Sequence, residues 1–274
     1  MFGMNLARSV STLVCATLVL VAGVAWAQSL NLTSGGDGGP VEIYAEDGIE
    51  WQQENLVFLA RGNARAIRED VAVNADVLKA YYHDVDGSSE IWRLDAEGSV
   101  VIASPSEQVT GDLAIYDVPN GVLIVRGKEI RFTAGPDSIT AKQQLEYWEN
   151  RQVAVARGDA RAIRGDKRLD ADVLAAYFQR MANGETDIER VEAFDNVVIT
   201  TKTEKVTSDR GIYKVQSGLA TLSGNVRIER DGNVITGCRA EVNLNTGISK
   251  MFACSGGSGS RVQGSIVPKS VDSN

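Results

Sequence analysis

The sequence predicts an all-β protein built from long, bent antiparallel strands and internally duplicated. A block of nine residues at 60–68 returns at 156–164, 96 residues later. Short segments alternate apolar and polar residues with a period of two, which is typical of strands with one buried face. In the segments that follow them, the alternation changes parity partway along. A straight strand cannot do this without turning its apolar face outward.

The first 27 residues are expected to be a cleavable signal peptide. Arg8 precedes an apolar run at 10–24, and the tripeptide Ala-Trp-Ala at 25–27 has the small residues of a cleavage site. A retained membrane anchor is the alternative, but the run is short for a span of roughly 20 apolar residues. We therefore expect an exported, soluble chain that starts with a disordered linker, residues 28–39.

The charge of the chain argues against two classes of partner. Removal of residues 1–27 leaves 27 basic and 36 acidic side chains, a net charge of −9. Nucleic-acid binding depends on clustered Lys and Arg that neutralise phosphates, and anionic membrane surfaces attract basic segments. We expect neither nucleic acid nor an anionic membrane surface to be a partner.

The duplication extends well beyond the first block. The segment Ala75-Asp-Val-Leu78 returns at 171–174, and Val100-Val-Ile102 returns at 197–199 with an offset of 97. Self-similarity at a fixed offset is typical of stacked architectures, in which neighbouring units complete one another's core. We predict two repeats, residues 40–144 and 145–254, and a disordered tail, residues 255–274.

Each repeat contains a shorter unit of about 30 residues with a head and a tail. A head is a Gly or Asp, a polar residue, and then apolar residues in alternation. The heads start at Gly62, Gly98, Gly158, Asp195 and Gly224, with a distorted one at Gly127. The best candidate for a helix, residues 172–181, has a twin at 76–82 that carries Val77, Tyr81 and Tyr82, so we predict strands for both.

The tails predict the bend. In one of them Val109 and Gly111 share one parity, whereas Ala114 and Tyr116 share the other. A bulge or sharp bend restores the facing of the side chains, so we predict that the two arms of each strand bury one common interior. Small residues are frequent in that interior. They fit either an underfilled groove or a tight core of small side chains, and the pattern leaves both open.

Two cysteines, Cys238 and Cys254, remain after signal-peptide removal. An even pair in an exported chain favours a disulfide. The segment 245–247, Asn-Thr-Gly, is a predicted hairpin turn, and the cysteines lie symmetrically about Thr246. We predict that they face each other across this hairpin and staple it, with paired but reduced thiols as the alternative.

The repeating pattern resembles the OstA-like family of lipopolysaccharide transport proteins and, within it, the periplasmic bridge member. The resemblance is carried by Leu222-Ser-Gly-Asn-Val-Arg-Ile228, by Ile235-Thr-Gly-Cys-Arg-Ala240, and by Val109-Thr-Gly-Asp-Leu-Ala-Ile-Tyr116. It covers roughly residues 40–253. The duplication is a departure, because it makes this chain longer than a minimal one-domain member.

The resemblance implies an elongated β-jellyroll whose apolar interior holds the acyl chains of lipopolysaccharide in the periplasm. It implies end-to-end stacking into a bridge between the inner-membrane and outer-membrane components of the transport machinery, and so an end-to-end homo-oligomer. No cofactor is implied. The lipid-lining residues that we expect come from heads and tails: Leu78, Val100, Ile102, Tyr116, Leu174, Val197, Ile199, Tyr213, Val226 and Ile228. Anionic groups are expected to stay at the groove mouth, where Arg65, Arg161 and Arg227 are candidates for contact.

Catalysis finds little support in the sequence. The single histidine, His83, is expected in a loop, and no serine lies on a Gly-x-Ser-x-Gly elbow. No His/Cys cluster has zinc spacing, and Asp170 and Asp172 are expected to be solvated outer charges. We expect no catalytic and no metal residues. The alternatives to a lipid carrier are a structural or adhesive repeat protein with a packed core, and a polysaccharide-acting β-solenoid enzyme.

Overall fold

The computed structural model describes residues 41–85, 88–181, 186–243, 245–246, 248–254 and 261–267. The predicted signal peptide and linker lie outside these residues. The described part is antiparallel β-structure, with a single short 3-10 turn at Glu149–Arg151. The predicted all-β class is confirmed.

Ten strands form the first half of the chain. They are β1 (Glu42–Tyr44), β2 (Gly48–Gln52), β3 (Val57–Arg68), β4 (Val71–Val85), β5 (Ser88–Ala103), β6 (Glu107–Asp117), β7 (Val122–Arg126), β8 (Ile130–Ala134), β9 (Asp137–Ala141) and β10 (Gln144–Trp148). The residues predicted as a strand at 76–82 lie within β4.

Eight strands follow in the second half. They are β11 (Val153–Arg164), β12 (Lys167–Arg180), β13 (Thr186–Thr200), β14 (Glu204–Lys214), β15 (Leu219–Arg230), β16 (Asn233–Asn243), β17 (Ile248–Phe252) and β18 (Gln263–Ser265). Strands β3 and β11 begin 96 residues apart, and β6 and β14 begin 97 apart, as the sequence duplication predicts. The predicted disordered tail, residues 255–274, is wrong at β18, which pairs with β16.

The long strands each belong to two sheets. The first half of β3 pairs with β2 and its second half pairs with β1. In the same way β6 pairs with both β7 and β8, and β16 pairs with both β17 and β18. We call the sheet that contains β2, β7, β10 and β17 the first sheet, and the one that contains β1, β8, β9 and β18 the second sheet. Each long strand crosses from one to the other, which is the jellyroll of bent strands that the resemblance implied.

The crossing occurs at the dipeptides that open the predicted heads. Gly62-Asn63, Gly98-Ser99, Gly158-Asp159, Asp195-Asn196 and Gly224-Asn225 all have positive φ at both residues. At each of these places the register shifts, because two residues on this strand oppose one on its neighbour. The glycine of a head therefore lies in the middle of a strand. The bend that the tails predicted is present, and its extra residue lies on the head strand.

At four of the five bends the first residue is glycine, and Gly224 shows two reasons for this. Gly224 has φ +75°, a conformation that side chains other than glycine rarely adopt. A Cβ atom there would also overlap the carboxylate of Asp209, which accepts a hydrogen bond from Asn225 Nδ2 at 2.9 Å. Aspartate and glycine on neighbouring strands thus fit together at the bend. The distorted head at Gly127 coincides with the break between β7 and β8.

The core lies between the two sheets. One continuous cluster of buried side chains includes Ala96 and Tyr116 from the first sheet and Ile102 and Phe132 from the second. Both sheets thus contribute the apolar faces that the alternation predicted. No helix among the described residues has the length and apolarity needed to cross a membrane.

The turn before β17 holds the predicted hairpin. The backbone N–H groups of Asn245 and Thr246 both donate to Asn243 Oδ1, at 3.0 Å each, and residue 247 lies outside the described part. Cys238 and Cys254 are joined through their sulfur atoms, with Cα atoms 4.9 Å apart.

The register of this hairpin differs from the prediction by one residue. Asn243 pairs with Ile248, so the centre of the ladder lies before Thr246. Continuing that register places Ala253, and not Cys254, opposite position 238. The expectation that the cysteines face each other directly is therefore wrong, because Cys254 lies just beyond the last paired residue of β17.

Candidate functional site

Among the described residues, two apolar cavities lie in the interior, the first lined by residues 41–123 and the second by residues 132–222. The first has a volume of about 400 Å³ and the second about 110 Å³. The first lies between β1–β2 and β7, and the second between β8–β10 and β15. Small side chains such as Ala80 and Ala114 in the first, and Ala156 and Ala176 in the second, leave this space open.

A packed layer separates the two cavities at the junction of the halves. Ile130, Phe132 and Val125 are at most 2% exposed there, and Leu145 and Tyr147 pack with them in the same cluster. Phe132 lines the second cavity, whereas Tyr116 and Leu123 line the first. In the described part of the chain the interior thus has two apolar compartments, with a packed layer that includes Phe132 and Tyr147 between them.

All ten predicted lining residues lie in the interior. Seven are buried and the other three, Leu78, Tyr213 and Ile228, are partly buried and pack against the same cluster. Three of the ten line the first cavity: Leu78, Ile102 and Tyr116. Four line the second cavity: Leu174, Val197, Ile199 and Tyr213.

The remaining three, Val100, Val226 and Ile228, line neither cavity. Val100 and Val226 are each 1% exposed and follow directly after a bend. The two sheets meet at the bends, so the side chains of Val100 and Val226 fill the space where the sheets join.

Charged side chains line the edge of the second sheet. Alternation places them on the interior face, at the ends of the hairpins farthest from the bends. They are Arg68, Glu107, Asp137, Arg164, Lys167, Glu204 and Arg230, and we call them the charged lip. Asp137 and Arg164 also line the second cavity.

The opposite edge, on the first sheet, is aromatic. Tyr116, Tyr147 and Phe178 are buried there, and the ring centroids of Tyr147 and Phe178 lie 6.4 Å apart. The hydroxyl of Tyr116 donates to Glu149 Oε1 at 3.1 Å. Burial raises the pKa of Tyr147 to about 12, and the charges of Glu149 and Glu107 add to this. The mouth of the interior thus has one aromatic edge and one charged edge.

Burial also acts on the carboxyl groups of the charged lip. It raises the pKa of Glu107 from 4.5 to about 7. It raises the pKa of Glu204, the counterpart of Glu107 in the second repeat, although the charge of Arg230 opposes the change. Burial thus acts in the same direction on two carboxyl groups at duplicated positions.

The arginines predicted to contact anionic groups face away from the interior. Arg161 Nε lies 2.6 Å from Asp170 Oδ1 on the outer surface, and Arg227 pairs with Glu229 in the same way. The arginines at the mouth are those three residues further on, Arg68, Arg164 and Arg230. Extending the period-two alternation of the heads by one step would have identified them.

The described residues contain no group of three or more His, Cys, Asp or Glu side chains that could hold a metal ion. His83 lies within β4 and not in the predicted loop, and its ring stacks on Trp92 with centroids 5.6 Å apart. Asp170 accepts hydrogen bonds from Arg161 and Arg168 on the outer surface, and Asp172 accepts one from Asn196 at a bend.

The chain matches a known family over its second half. Residues 138–248 match the family described as LptA/(LptD N-terminal domain) LPS transport protein. The chain is also similar to an uncharacterized protein of Rhizobium meliloti (strain 1021), with 26% identity over 136 residues, which cover 48% of this chain and 71% of the relative.

A solved structure with similarity is that of LptH, the LptA homologous periplasmic component of the lipopolysaccharide transport device from Pseudomonas aeruginosa. It has 19% identity and a TM-score of 0.41, and the match covers 48% of this chain and 96% of that one. The family match confirms the predicted resemblance to the OstA-like lipopolysaccharide transport family. Residues 138–248 of this chain are thus similar to that family.

Proposed function

We propose that this protein is a periplasmic carrier that binds lipopolysaccharide and shields its acyl chains inside the jellyroll. The observation that carries the proposal is the pair of apolar cavities between the sheets, in a chain whose residues 138–248 are similar to a lipopolysaccharide transport family. Burial of an acyl chain is worth roughly 0.8 kcal/mol for each CH₂ group removed from water. Space lined by small apolar side chains therefore provides a strong driving force for binding.

The proposed lining consists of the seven predicted residues that reach a cavity, together with alanines that the sequence patterns did not single out. The first cavity is lined by the first repeat and the second cavity mainly by the second repeat, so we propose that both repeats bind acyl chains. We propose that the layer at Phe132 and Tyr147 separates the acyl chains in one cavity from those in the other, whether they belong to one lipid molecule or to two.

End-to-end assembly is the second part of the proposal, and exposed apolar side chains at the two ends support it. Val41, Ile43, Tyr44, Ile49 and Trp51 are exposed on β1, β2 and the residues beside them. Ile248, Phe252, Val262, Ile266 and Val267 are exposed on or next to β17 and β18. Unprotected strand edges with apolar side chains favour pairing with another chain.

The first cavity reaches one of these ends, because Val41, Ile43 and Ile49 line it. A copy of this chain, or an inner-membrane or outer-membrane component of the transport machinery, would continue the apolar interior from there. The bridge between the two membranes follows from repeating this contact.

Mass spectrometry of lipids extracted from protein purified from its native periplasm tests the carrier function. Two variants fill the cavities without adding charge: Ala80→Phe in the first and Ala176→Phe in the second. Ala72→Phe, on the outer parity of β4, is the matched control. We expect lipopolysaccharide on the wild type and on the control, and less of it on each cavity variant.

A well-folded wild type that carries no lipid would overturn the proposal. It would favour the alternative, a structural or adhesive exported repeat protein with a packed core. Equal lipid on all four proteins would place the lipid outside the cavities. Thermal unfolding followed by circular dichroism verifies that each variant is folded.

A further inference from the structure

The outer face of the first sheet carries a second apolar cluster in the second half of the chain. Val153, Val155 and Ala175 are at most 9% exposed and form a cluster separate from the interior one. Their neighbours along the strands, Ala154 and Ala176, belong to the interior cluster, so alternation places the second cluster on the outside. Among the described residues no third layer of structure covers this face. An apolar cluster on such a face is typical of an interaction surface.

Aromatic rings and arginines surround this cluster. Arg190 Cζ lies 3.6 Å from the centroid of the Tyr177 ring, and Arg151 Cζ lies 4.8 Å from that of the Trp148 ring. Trp, Tyr and Arg are the residues enriched at the centres of protein interfaces. We call the outward-facing side chains of residues 144–148, 153–157, 173–177, 190–194 and 210–214, together with Arg151, the outer patch.

The first repeat has different residues at the same positions. Residues 48–52, 57–61, 77–81, 93–97 and 113–117, with residue 55, correspond to the outer patch, and we call their outward-facing side chains the counterpart face. Ala175 and Phe194 correspond there to Lys79 and Glu97, whose Nζ and Oε1 atoms lie 2.6 Å apart. The strand pairing is the same in both repeats. The sheet therefore does not need the apolar pair, which favours a role for it in binding.

The two faces also differ in charge. The outer patch has five cations and two carboxylates, a net charge of +3, whereas the counterpart face has three cations and four carboxylates, a net charge of −1. Among the described residues, Arg151 and Arg210 contact aromatic rings and form no ion pair with a carboxylate, and neither does Lys214. The whole chain without residues 1–27 has a net charge of −9. The outer patch is thus complementary in charge to other surfaces of this same chain.

We propose that the outer patch binds the counterpart face of a second copy of this chain. Both faces belong to the outer side of the first sheet, one in each half of the chain. A two-fold axis that runs between two facing sheets, parallel to their strands, therefore sets the outer patch of each copy on the counterpart face of the other. This contact uses sheet faces, whereas the proposed end-to-end contact uses terminal strands, so both can form in one assembly.

The area of the two faces suits a stable dimer. Each face spans five strands about 4.8 Å apart and five residues of about 3.4 Å along each strand, or about 400 Å². The two contacts of a symmetric pair together cover about 800 Å² on each copy, which is the area of a standard protein interface. Twisted sheets commonly pack face to face in this way.

Sedimentation velocity of the chain without its predicted signal peptide, over a range of concentrations, measures both the pairing and the shape of the pair. The double variant Ala175→Lys, Phe194→Glu gives the outer patch the residues of the first repeat and leaves its net charge unchanged. The matched control, Val198→Lys with Thr207→Glu, adds the same side chains at paired positions of β13 and β14 on the outer face of the second sheet. We expect wild type and control to form a compact dimer, and the patch variant to raise its dissociation constant about tenfold or more.

The charges are tested with a second variant, Arg210→Leu with Lys214→Asp, which also installs the residues of the first repeat. It lowers the net charge of the outer patch from +3 to 0. Added salt should therefore weaken pairing of the wild type more than pairing of this variant. Circular dichroism verifies that each variant is folded, and the two variants change different residues of the outer patch.

Three outcomes would overturn the proposal. They are a wild type that stays monomeric at every concentration, a dimer that neither patch variant weakens, and a control that weakens pairing as much as the patch variants do. An elongated dimer that is insensitive to both patch variants would assign the association to the strand ends and leave end-to-end assembly standing. The carrier function is measured separately, by the lipid bound to the wild type, so it can stand or fail independently.

Discussion

The raised pKa of Glu107 predicts a pH-dependent cost to folding that Glu107→Gln removes. The carboxyl lies on the interior side of the charged lip, and burial raises its pKa from 4.5 to about 7. Below pH 4.5 the carboxyl is protonated in both folded and unfolded chains, so it costs nothing. As pH rises from 4.5 to 7, the unfolded chain releases the proton first, and the folded state loses stability.

The size of this effect follows from the difference between the two pKa values. It corresponds to at most about 3 kcal/mol above pH 7. Partial solvent contact at the lip screens the charge, so we expect about 1–2 kcal/mol. Gln has nearly the same shape and does not titrate. The variant should therefore match wild type near pH 4 and be more stable by about 1–2 kcal/mol at pH 8.

Urea unfolding at pH 4, 6 and 8 measures the difference between the two proteins at each pH. The difference between wild type and variant isolates Glu107 from Glu149 and Glu204, whose pKa values burial also raises. Glu129→Gln, at an exposed position in the break between β7 and β8, is the control and should show no pH-dependent difference. A Glu107→Gln effect that is the same at pH 4 and pH 8 would refute the reasoning, because a merely structural change does not titrate.

Three further predictions concern the fold. Gly98→Ala should lower the free energy of unfolding by about 1–3 kcal/mol, because φ is +78° and the new Cβ would overlap the carboxylate of Asp76 on β4. Gly135→Ala is the control: φ is +54° but the space around it is open, so this variant should lower the free energy of unfolding by only about 1 kcal/mol. Phe132→Ala should cost about 3–5 kcal/mol and join the two cavities, which a larger bound amount of a fluorescent fatty acid would show. Cys238→Ser with Cys254→Ser should cost about 2–4 kcal/mol for a separation of 16 residues, and reductant should lower wild-type stability to the variant's level.

Each of these has an outcome that contradicts it. Equal losses at both glycine positions would mean that the carboxylate contact at the bend is unimportant. Unchanged fatty-acid binding by the Phe132 variant would show that this side chain does not separate the compartments. A wild type insensitive to reductant would indicate that the cysteines are reduced in the purified protein.

Local pattern was sufficient to predict the strands and their bends. The period-two alternation of Val100 and Ile102 reports which face of a strand is buried, and the parity change between Gly111 and Ala114 can be satisfied only by a bend. These are properties of a few neighbouring residues, so they can be read without knowing the partners of a strand. The duplication then placed the same elements in the second half.

The hairpin register at Cys238 was harder to predict, because a one-residue difference in the turn moves every pair by one. The symmetric spacing of the two cysteines suggested a register one residue away from the observed one, in which Asn243 pairs with Ile248. The short strand β18 was missed because three residues without apolar alternation gain their order from β16 alone.

The sequence by itself determined the all-β class, the bent strands, the duplication and an apolar interior that includes all ten predicted lining residues. Only the tertiary structure decided which of these residues border open space and which fill the bottom of the bend, as Val226 does. It also decided that the interior is two compartments and that charged side chains line one edge of the mouth. The physical reason is that burial depends on residues from strands far apart in the chain. The alternation of apolar and polar residues predicts which face of a strand is buried. The volume of open space beside that face depends on how the two sheets pack together.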